Sequence, residues 1–234
     1  MNAPKTNAPK TNSVKRNVIV SSLVVAAFVA LVTAALTLGA KTANPSDPAD
    51  AAGTGTATGK LVRDDSHRLG AAGTGKVVLV EFLDFECESC RAAYPVVEEM
   101  RAAYAGKVDF VVRYFPIPSH ANAVNSAVAV EAASQQGKFE EMYKRMYETQ
   151  TTWGEQQESK ASVFRGFAQE LGLDMAAYDK AVEDKATLER VERDRQDGLD
   201  LGVQGTPTFF LNGKKLEPTS TQDFRDKIDA ALNG

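Results

Sequence analysis

Cysteine and histidine are scarce in this chain, and their scarcity limits the metal chemistry it can carry. Its 234 residues include two cysteines, Cys87 and Cys90, and two histidines, His67 and His120. A zinc site usually needs about four ligands, drawn mostly from these residue types. Only the two histidines could complete such a set, so the sequence argues against zinc. We expect neither a metal ion nor a cofactor.

An excess of charge of one sign is also missing. Charged residues make up 25% of the chain, yet the net charge is only −4. The lysines and arginines are interspersed with acids, as on a solvated helical surface. Because a nucleic-acid-binding domain usually shows a basic patch, the sequence predicts no nucleic-acid partner.

The first part of the chain divides into three segments of different composition. Residues 1–17 contain four basic and no acidic side chains, which is typical of a disordered tail. Residues 18–40 contain no charge, and as a helix they would extend ~35 Å, enough to span a bilayer. Residues 41–59 are rich in alanine, threonine and glycine, and we expect a flexible linker there.

A cleaved signal peptide is the alternative for residues 18–40. The apolar part of a signal peptide is usually only ~7–15 residues long, and Leu38 makes a cleavage after Ala40 unfavourable. The length therefore favours a retained transmembrane anchor. The basic residues before it place the N-terminus in the cytoplasm. We expect a single-pass protein of the cell membrane, with residues 60–234 forming an extracytoplasmic domain.

The folded part of the chain is organised around a strand and a pair of thiols. Val77–Phe82 is an apolar, β-branched run that predicts a strand buried on both faces. Arg91–Tyr104 has apolar residues at helical spacing. Cys87 and Cys90 thus lie where a strand gives way to a helix N-terminus, which lowers the pKa of a thiol. This spacing indicates a redox dithiol, with an inert structural disulfide as the alternative.

After the dithiol, the pattern predicts further strands around a long helical block. Asn212 and Gly213 predict a two-residue hairpin turn. The predicted elements are a strand at Val108–Phe115, helices at Asn122–Gln136, Phe139–Thr149, Val163–Leu171, Met175–Val182 and Ala186–Leu201, strands at Pro207–Leu211 and Lys214–Leu216, and a last helix around Phe224–Leu232.

Four smaller expectations concern single positions outside the dithiol. Leu61–Arg63 is predicted as a short edge strand, and His67 as a solvated surface residue. His120 opens the helical block, where a capping or packing role is favoured over catalysis. Trp153 lies in a polar link within the block, and we expect it to anchor the packing there.

From about Lys76 onward the chain resembles the thioredoxin-fold proteins of the DsbA type, particularly those of bacterial envelopes. The resemblance implies an α/β thioredoxin fold with an inserted helical domain, at about residues 120–202, that caps one side of the active site. A single N-terminal transmembrane helix would precede this fold. The matching segments are Glu81–Cys90, Arg113–Ala123 and Val203–Gly213.

The resemblance also implies roles for five residues. Cys87 would be the exposed nucleophile, and Cys90 would resolve the mixed disulfide. Glu81 would be a buried acid that transfers a proton to the inner thiol. Pro207 would follow a cis peptide bond and face the dithiol, and the backbone of Thr206 would pair with substrate as an added strand.

These roles predict a thiol–disulfide oxidoreductase that exchanges disulfides with cysteine-containing secreted or envelope proteins. Oxidation is the favoured direction because disulfides persist outside the cytoplasm, and a membrane redox partner would then recycle the dithiol. A reductase for a specific client is one alternative. A non-catalytic peptide-binding module, whose disulfide is only a staple, is another.

One local feature argues for a weak oxidant. Asp84, Glu86 and Glu88 surround the motif with negative charge. Carboxylates beside Cys87 would oppose its thiolate and raise its pKa, which makes the reduced form less stable.

Overall fold

The computed structural model of the chain describes residues 59–234. The predicted tail at 1–17, the anchor at 18–40 and all but the last residue of the linker at 41–59 lie outside this range. Between residues 59 and 234, no helix combines the length and the apolar composition needed to cross a membrane.

A mixed sheet of five strands forms the centre of this part of the chain. Its order is β1-β3-β2-β4-β5, in which β2 and β3 run parallel and the other neighbours run antiparallel. The strands are β1 His67–Leu69, β2 Val77–Leu83, β3 Val108–Tyr114, β4 Thr208–Leu211 and β5 Lys214–Leu216.

Seven complete α-helices lie within residues 59–234, and five of them lie between β3 and β4 in the chain. These five form the helical insert, close to the predicted bounds of 120–202. A one-turn 3₁₀ helix, Gln150–Thr152, follows the second of them. The helices are α1 Glu88–Ala103, α2 Ala123–Ser134, α3 Phe139–Thr149, α4 Ala161–Glu170, α5 Met175–Glu183, α6 Lys185–Asp200 and α7 Thr221–Asn233.

The two faces of β2 contribute to two separate hydrophobic cores. Leu79 and Leu83 belong to the larger core, which also contains buried residues of α1, α7 and the insert. Val80 and Phe82 point to the other face and belong to a smaller core. This arrangement explains why the strand has no polar alternation, as the apolar run predicts.

Helix α6 packs very closely on the smaller core. A Cβ atom placed on Gly198 would lie 2.7 Å from Cδ2 of Phe115 and 3.0 Å from Cδ1 of Phe82. On the same helix, Asp194 and Asp197 form ion pairs of 2.8 and 2.6 Å with the fully buried Arg113 of β3. Helix α6 therefore meets the sheet through both close packing and buried charge.

Two predictions near the start of the domain are wrong. Leu61–Arg63 is not a strand: residues 59–61 form a helical turn, and Leu61 packs into the smaller core. The edge strand is β1, a few residues later. Its His67 is not solvated, because Nε2 lies 2.6 Å from the Glu131 carboxylate and the ring stacks on Phe139 at 4.1 Å. These partners come from the insert, far away in sequence.

Trp153 has the predicted role of a packing anchor. It is fully buried, and its ring meets Phe164 of α4 edge-to-face, with 4.8 Å between the ring centroids.

Candidate active site

The two cysteines lie at the start of α1, directly after the loop that leaves β2. Cys87 is the N-cap residue, with φ −69° and ψ 122°, and its carbonyl accepts the first helical hydrogen bond from Arg91 N at 3.1 Å. Cys90 is one turn further along. Both are free thiols, with Cys87 7% exposed and Cys90 1% exposed. Cys87 thus lies at the helix end and Cys90 one turn inside it, as the spacing predicts, but Cys87 is buried rather than exposed.

The surroundings of Cys87 stabilise its thiolate. A hydrogen bond from the Cys90 thiol is the largest influence, and it lowers the pKa of Cys87 to about 5 against the opposing effect of burial. Thr206 and the backbone N–H groups at the start of α1 lower this pKa further. Burial, followed by donation to Cys87, raises the pKa of Cys90 well above its ordinary value. The pair thus has one acidic and one very weakly acidic thiol.

The carboxylate of Asp84 does not oppose the Cys87 thiolate. It is buried, and its Oδ2 atom accepts a hydrogen bond from Ile117 N at 2.9 Å and pairs with His120 Nδ1 at 2.7 Å. His120 thus has a specific acidic partner, beyond the capping or packing role predicted for it.

Glu86 and Glu88 are also occupied or directed elsewhere. The buried Glu86 carboxylate accepts hydrogen bonds from Asn122 N at 2.6 Å and Glu155 N at 3.1 Å, both in the insert. Glu88 is exposed at the first position of α1. The prediction that these acids raise the pKa of Cys87 is therefore wrong, because that pKa is lowered, chiefly by the hydrogen bond from the Cys90 thiol.

Glu81 lies in β2 and faces the larger core, on the same side of the strand as Leu79 and Leu83. It is only 5% exposed. Burial, and then the charges of Glu98 and Cys87, raise the pKa of Glu81 to about 8. The charge of Glu81 in turn raises the pKa of Cys90. A carboxyl that is largely protonated at neutral pH therefore lies near the inner thiol.

Thr206 and Pro207 face the dithiol, as predicted. The peptide bond between them is cis, and Cys87 Sγ lies 3.3 Å from the Thr206 carbonyl oxygen. A groove of about 440 Å³ opens beside Pro207, between α1 and the start of α7. Its apolar lining includes Ala93, Val96, Phe209, Leu216 and Phe224.

Sequence reasoning missed Gln150, which lies beside the dithiol in the structure. Its Nε2 atom donates to the carbonyl oxygens of Phe85 at 2.7 Å and Cys87 at 3.0 Å. The residue occurs in a polar Gln-Thr-Thr run, 63 positions after Cys87, and nothing in that run indicates a contact with the thiols.

Comparison with known proteins gives one family match that covers most of the chain. A family model described as thioredoxin matches residues 63–230. Among curated proteins, the Na(+)/H(+) antiporter NhaA 1 of Mycobacterium sp. (strain KMS) is 34% identical over 142 residues, or 59% of this chain. The matched stretch is only 22% of that antiporter's length. The chain therefore corresponds to a minor part of that relative.

Solved structures show the same architecture. A thioredoxin-like oxidoreductase from Silicibacter pomeroyi DSS-3 is 25% identical, covers 75% of this chain and 98% of its own, and has a TM-score of 0.63. The thiol-disulfide exchange protein alpha-DsbA2 from Wolbachia pipientis is 20% identical and also has a TM-score of 0.63. The match covers 79% of this chain and 99% of that structure's chain. At this level of identity, the second likeness concerns the fold alone.

Proposed function

We propose that this chain, which belongs to the thioredoxin family and is a thiol–disulfide oxidoreductase, works as an oxidase of cysteine-containing secreted or envelope proteins. The observation that carries the direction is the acidity of Cys87, whose pKa is about 5. A thiolate that is stable at neutral pH stabilises the reduced form. A protein with a stable reduced form gives up its disulfide readily and is therefore a strong oxidant.

The transfer begins with attack by a substrate thiolate on Cys87 Sγ in the Cys87–Cys90 disulfide. The bond between the two cysteines breaks, and Cys90 leaves as a thiolate that takes up a proton. A second substrate thiolate then attacks the substrate sulfur of the mixed disulfide and releases Cys87 as a thiolate. The substrate loses two electrons and the protein gains them. The low pKa of Cys87 makes it a good leaving group in this step.

Glu81 is the proposed proton donor to Cys90. With a pKa of about 8, its carboxyl is largely protonated at neutral pH. Cys90 has a raised pKa and must take up a proton when it leaves the disulfide. Both groups are shielded from bulk water, so a nearby acid offers a direct source of that proton.

The backbone at Thr206 and the groove beside Pro207 are the proposed substrate site. The Thr206 carbonyl is already directed at Cys87, and β4 begins at the next residue but one. An extended peptide that paired with this backbone would bring its cysteine to Cys87 Sγ. The apolar groove would then accept a neighbouring side chain.

The proposed location is the outer face of a cell membrane, with residues 18–40 as the anchor and residues 1–17 in the cytoplasm. The support is the uncharged length of the anchor segment and the basic residues before it. An oxidase must be reoxidised after each cycle, and a membrane redox partner is the proposed acceptor of its electrons. Retention of the full chain in carbonate-washed membranes tests the anchor.

The reduction potential of the full chain, measured in a glutathione buffer with mild detergent, tests the direction of exchange. We expect a value well above that of thioredoxin, which is about −270 mV. A value near or below that of thioredoxin would favour the reductase alternative. A disulfide that glutathione cannot reduce would mean that the two cysteines form a staple, and the enzymatic proposal would be wrong.

A further inference from the structure

Gln150 supplies a buried amide to the loop that carries the dithiol. It is 2% exposed and begins the 3₁₀ turn after α3, within the insert. Its Nε2 atom donates to the Phe85 and Cys87 carbonyls, and its Oε1 atom accepts from Arg91 Nε at 3.1 Å. Every polar function of this side chain is therefore directed at the segment around the two cysteines.

The two carbonyl groups belong to Phe85, in the loop before α1, and to Cys87, the N-cap residue of α1. The Cys87 carbonyl already accepts the helical hydrogen bond from Arg91 N, so Gln150 is its second donor. The Phe85 carbonyl lies before the helix begins. A hydrogen bond to a carbonyl restrains the plane of its peptide unit. The orientation of the peptide units after Cys87 decides whether the N–H groups of Ser89 and Cys90 point at its sulfur.

We propose that Gln150 is a positioning residue of the dithiol. Its amide, supplied by the insert, holds the carbonyls of Phe85 and Cys87, so that Cys87 keeps its place at the N-cap of α1, beside the first N–H groups of the helix. The insert thus contributes directly to the reactivity of the thiol. This inference rests on the proposed function, since it explains how the acidic thiol of that function is maintained.

The test is a titration of the Cys87 thiolate by its ultraviolet absorbance, in the full-length reduced protein and two variants. Gln150→Ala removes the amide. Gln150→Glu keeps the volume and the acceptor for Arg91 but loses at least one donor. In both variants we expect the titration midpoint of Cys87 to rise by about one unit, the equivalent of one hydrogen bond. Gln169→Ala changes an exposed glutamine of α4 and should leave the midpoint at its wild-type value.

The outcomes separate this inference from the function on which it rests. If Gln150→Ala and Gln150→Glu keep the wild-type midpoint, even with a lower melting temperature, Gln150 is only structural and the inference is wrong. If the wild-type midpoint itself lies near the ordinary thiol value, about 8.5, both the inference and the basis of the proposed function are wrong. A low wild-type midpoint that rises in both variants supports the inference.

Discussion

The pKa values of the two cysteines at this site are shifted in opposite directions, although their side chains are identical and lie only three positions apart in the chain. Cys87 is the N-cap residue of a helix and accepts a hydrogen bond from the Cys90 thiol, and its pKa is about 5. Cys90 is one turn inside, buried, and donates its own hydrogen, so its pKa is raised. The assignment of attacking and resolving thiol follows from position, because the helix end favours only one of the two sulfurs.

We predict that Cys90→Ala raises the pKa of Cys87, because the hydrogen bond from Cys90 is the largest influence that lowers it. The rate of alkylation of Cys87 as a function of pH gives the midpoint. Cys90→Ser is the matched control, since its hydroxyl can still donate and the rise should be smaller. An alanine variant with the wild-type rate profile would show that the helix end alone accounts for the acidity.

We predict that Glu81→Gln stabilises the fold in a pH-dependent way. The folded pKa of Glu81, about 8, exceeds the ordinary carboxyl value, so its contribution to stability is present at low pH and is lost as the pH rises from about 4.5 to 8. Glutamine has no proton to lose. The free energy of unfolding in urea should be the same for the variant and wild type near pH 4.5. Above pH 8 it should be larger for the variant, by at most on the order of 4 kcal/mol.

Glu158→Gln, an exposed acid of the insert, is the control for that comparison and should show no such pH dependence. An equal difference between Glu81→Gln and wild type at every pH would contradict the raised pKa. Slower exchange by a folded Glu81→Gln protein, with an altered pH profile, would support Glu81 as the proton donor. An unchanged profile would count against that role.

At the scale of helices and strands, the approach of α6 to the sheet depends on one missing side chain. We predict that Gly198→Ala destabilises the fold by about 1–2 kcal/mol, because the new methyl group would press on the rigid rings of Phe115 and Phe82. Gly166→Ala in α4 meets nothing within 4 Å and should instead stabilise the fold by about 0.5–1 kcal/mol. Thermal unfolding of both variants checks these two predictions. An increase in stability in both variants would show that the core accommodates the methyl group of Gly198→Ala without cost.

The elements were predictable where periodicity and turn residues agree. Burial on both faces, helical spacing and the Asn-Gly turn each leave a local pattern in the sequence. The predicted bounds therefore agree to within a residue for the elements at Val77–Phe82, Phe139–Thr149 and Lys214–Leu216. The prediction of a strand at Leu61–Arg63 is wrong because a short apolar stretch has no distinctive period. Leu61 instead packs into the smaller core, and the sequence does not reveal that this core exists.

The candidate site was predictable only in part, for a related reason. The spacing of Cys87 and Cys90 and the segment at Thr206 and Pro207 are local motifs. Contacts with the insert leave no local motif in the sequence. His120 contacts Asp84 across 36 residues of chain, and Gln150 contacts Cys87 across 63 residues. Asp84 and Glu86 therefore look like free charges in the sequence, although the structure pairs Asp84 with His120 and gives Glu86 hydrogen bonds from Asn122 and Glu155.

For the whole molecule, the acidity of Cys87 links stability to redox state. The folded pKa of Cys87 is below the ordinary value, so its stabilisation of the reduced protein is present at high pH and is lost as the pH falls towards about 5. The disulfide closes only a very short loop and constrains the unfolded chain little.

We therefore predict that the reduced protein has a higher melting temperature than the oxidised protein at pH 7. The difference between the two melting temperatures should become smaller as the pH is lowered from 7 to 4. Calorimetry of both forms across this range checks the prediction, with the fully buried Trp153 as a fluorescent reporter of unfolding. The Cys87→Ser variant has no such thiolate, and its stability should not follow this pH dependence. A gap that stays constant with pH would contradict the link.

The buried Arg113 ties the first described residues of the domain to the sheet and to α6. Its guanidinium donates to the carbonyls of Lys60 and Leu61 and pairs with Asp194 and Asp197 of α6. A pull on the chain ahead of residue 60 is therefore borne first by β3 and α6.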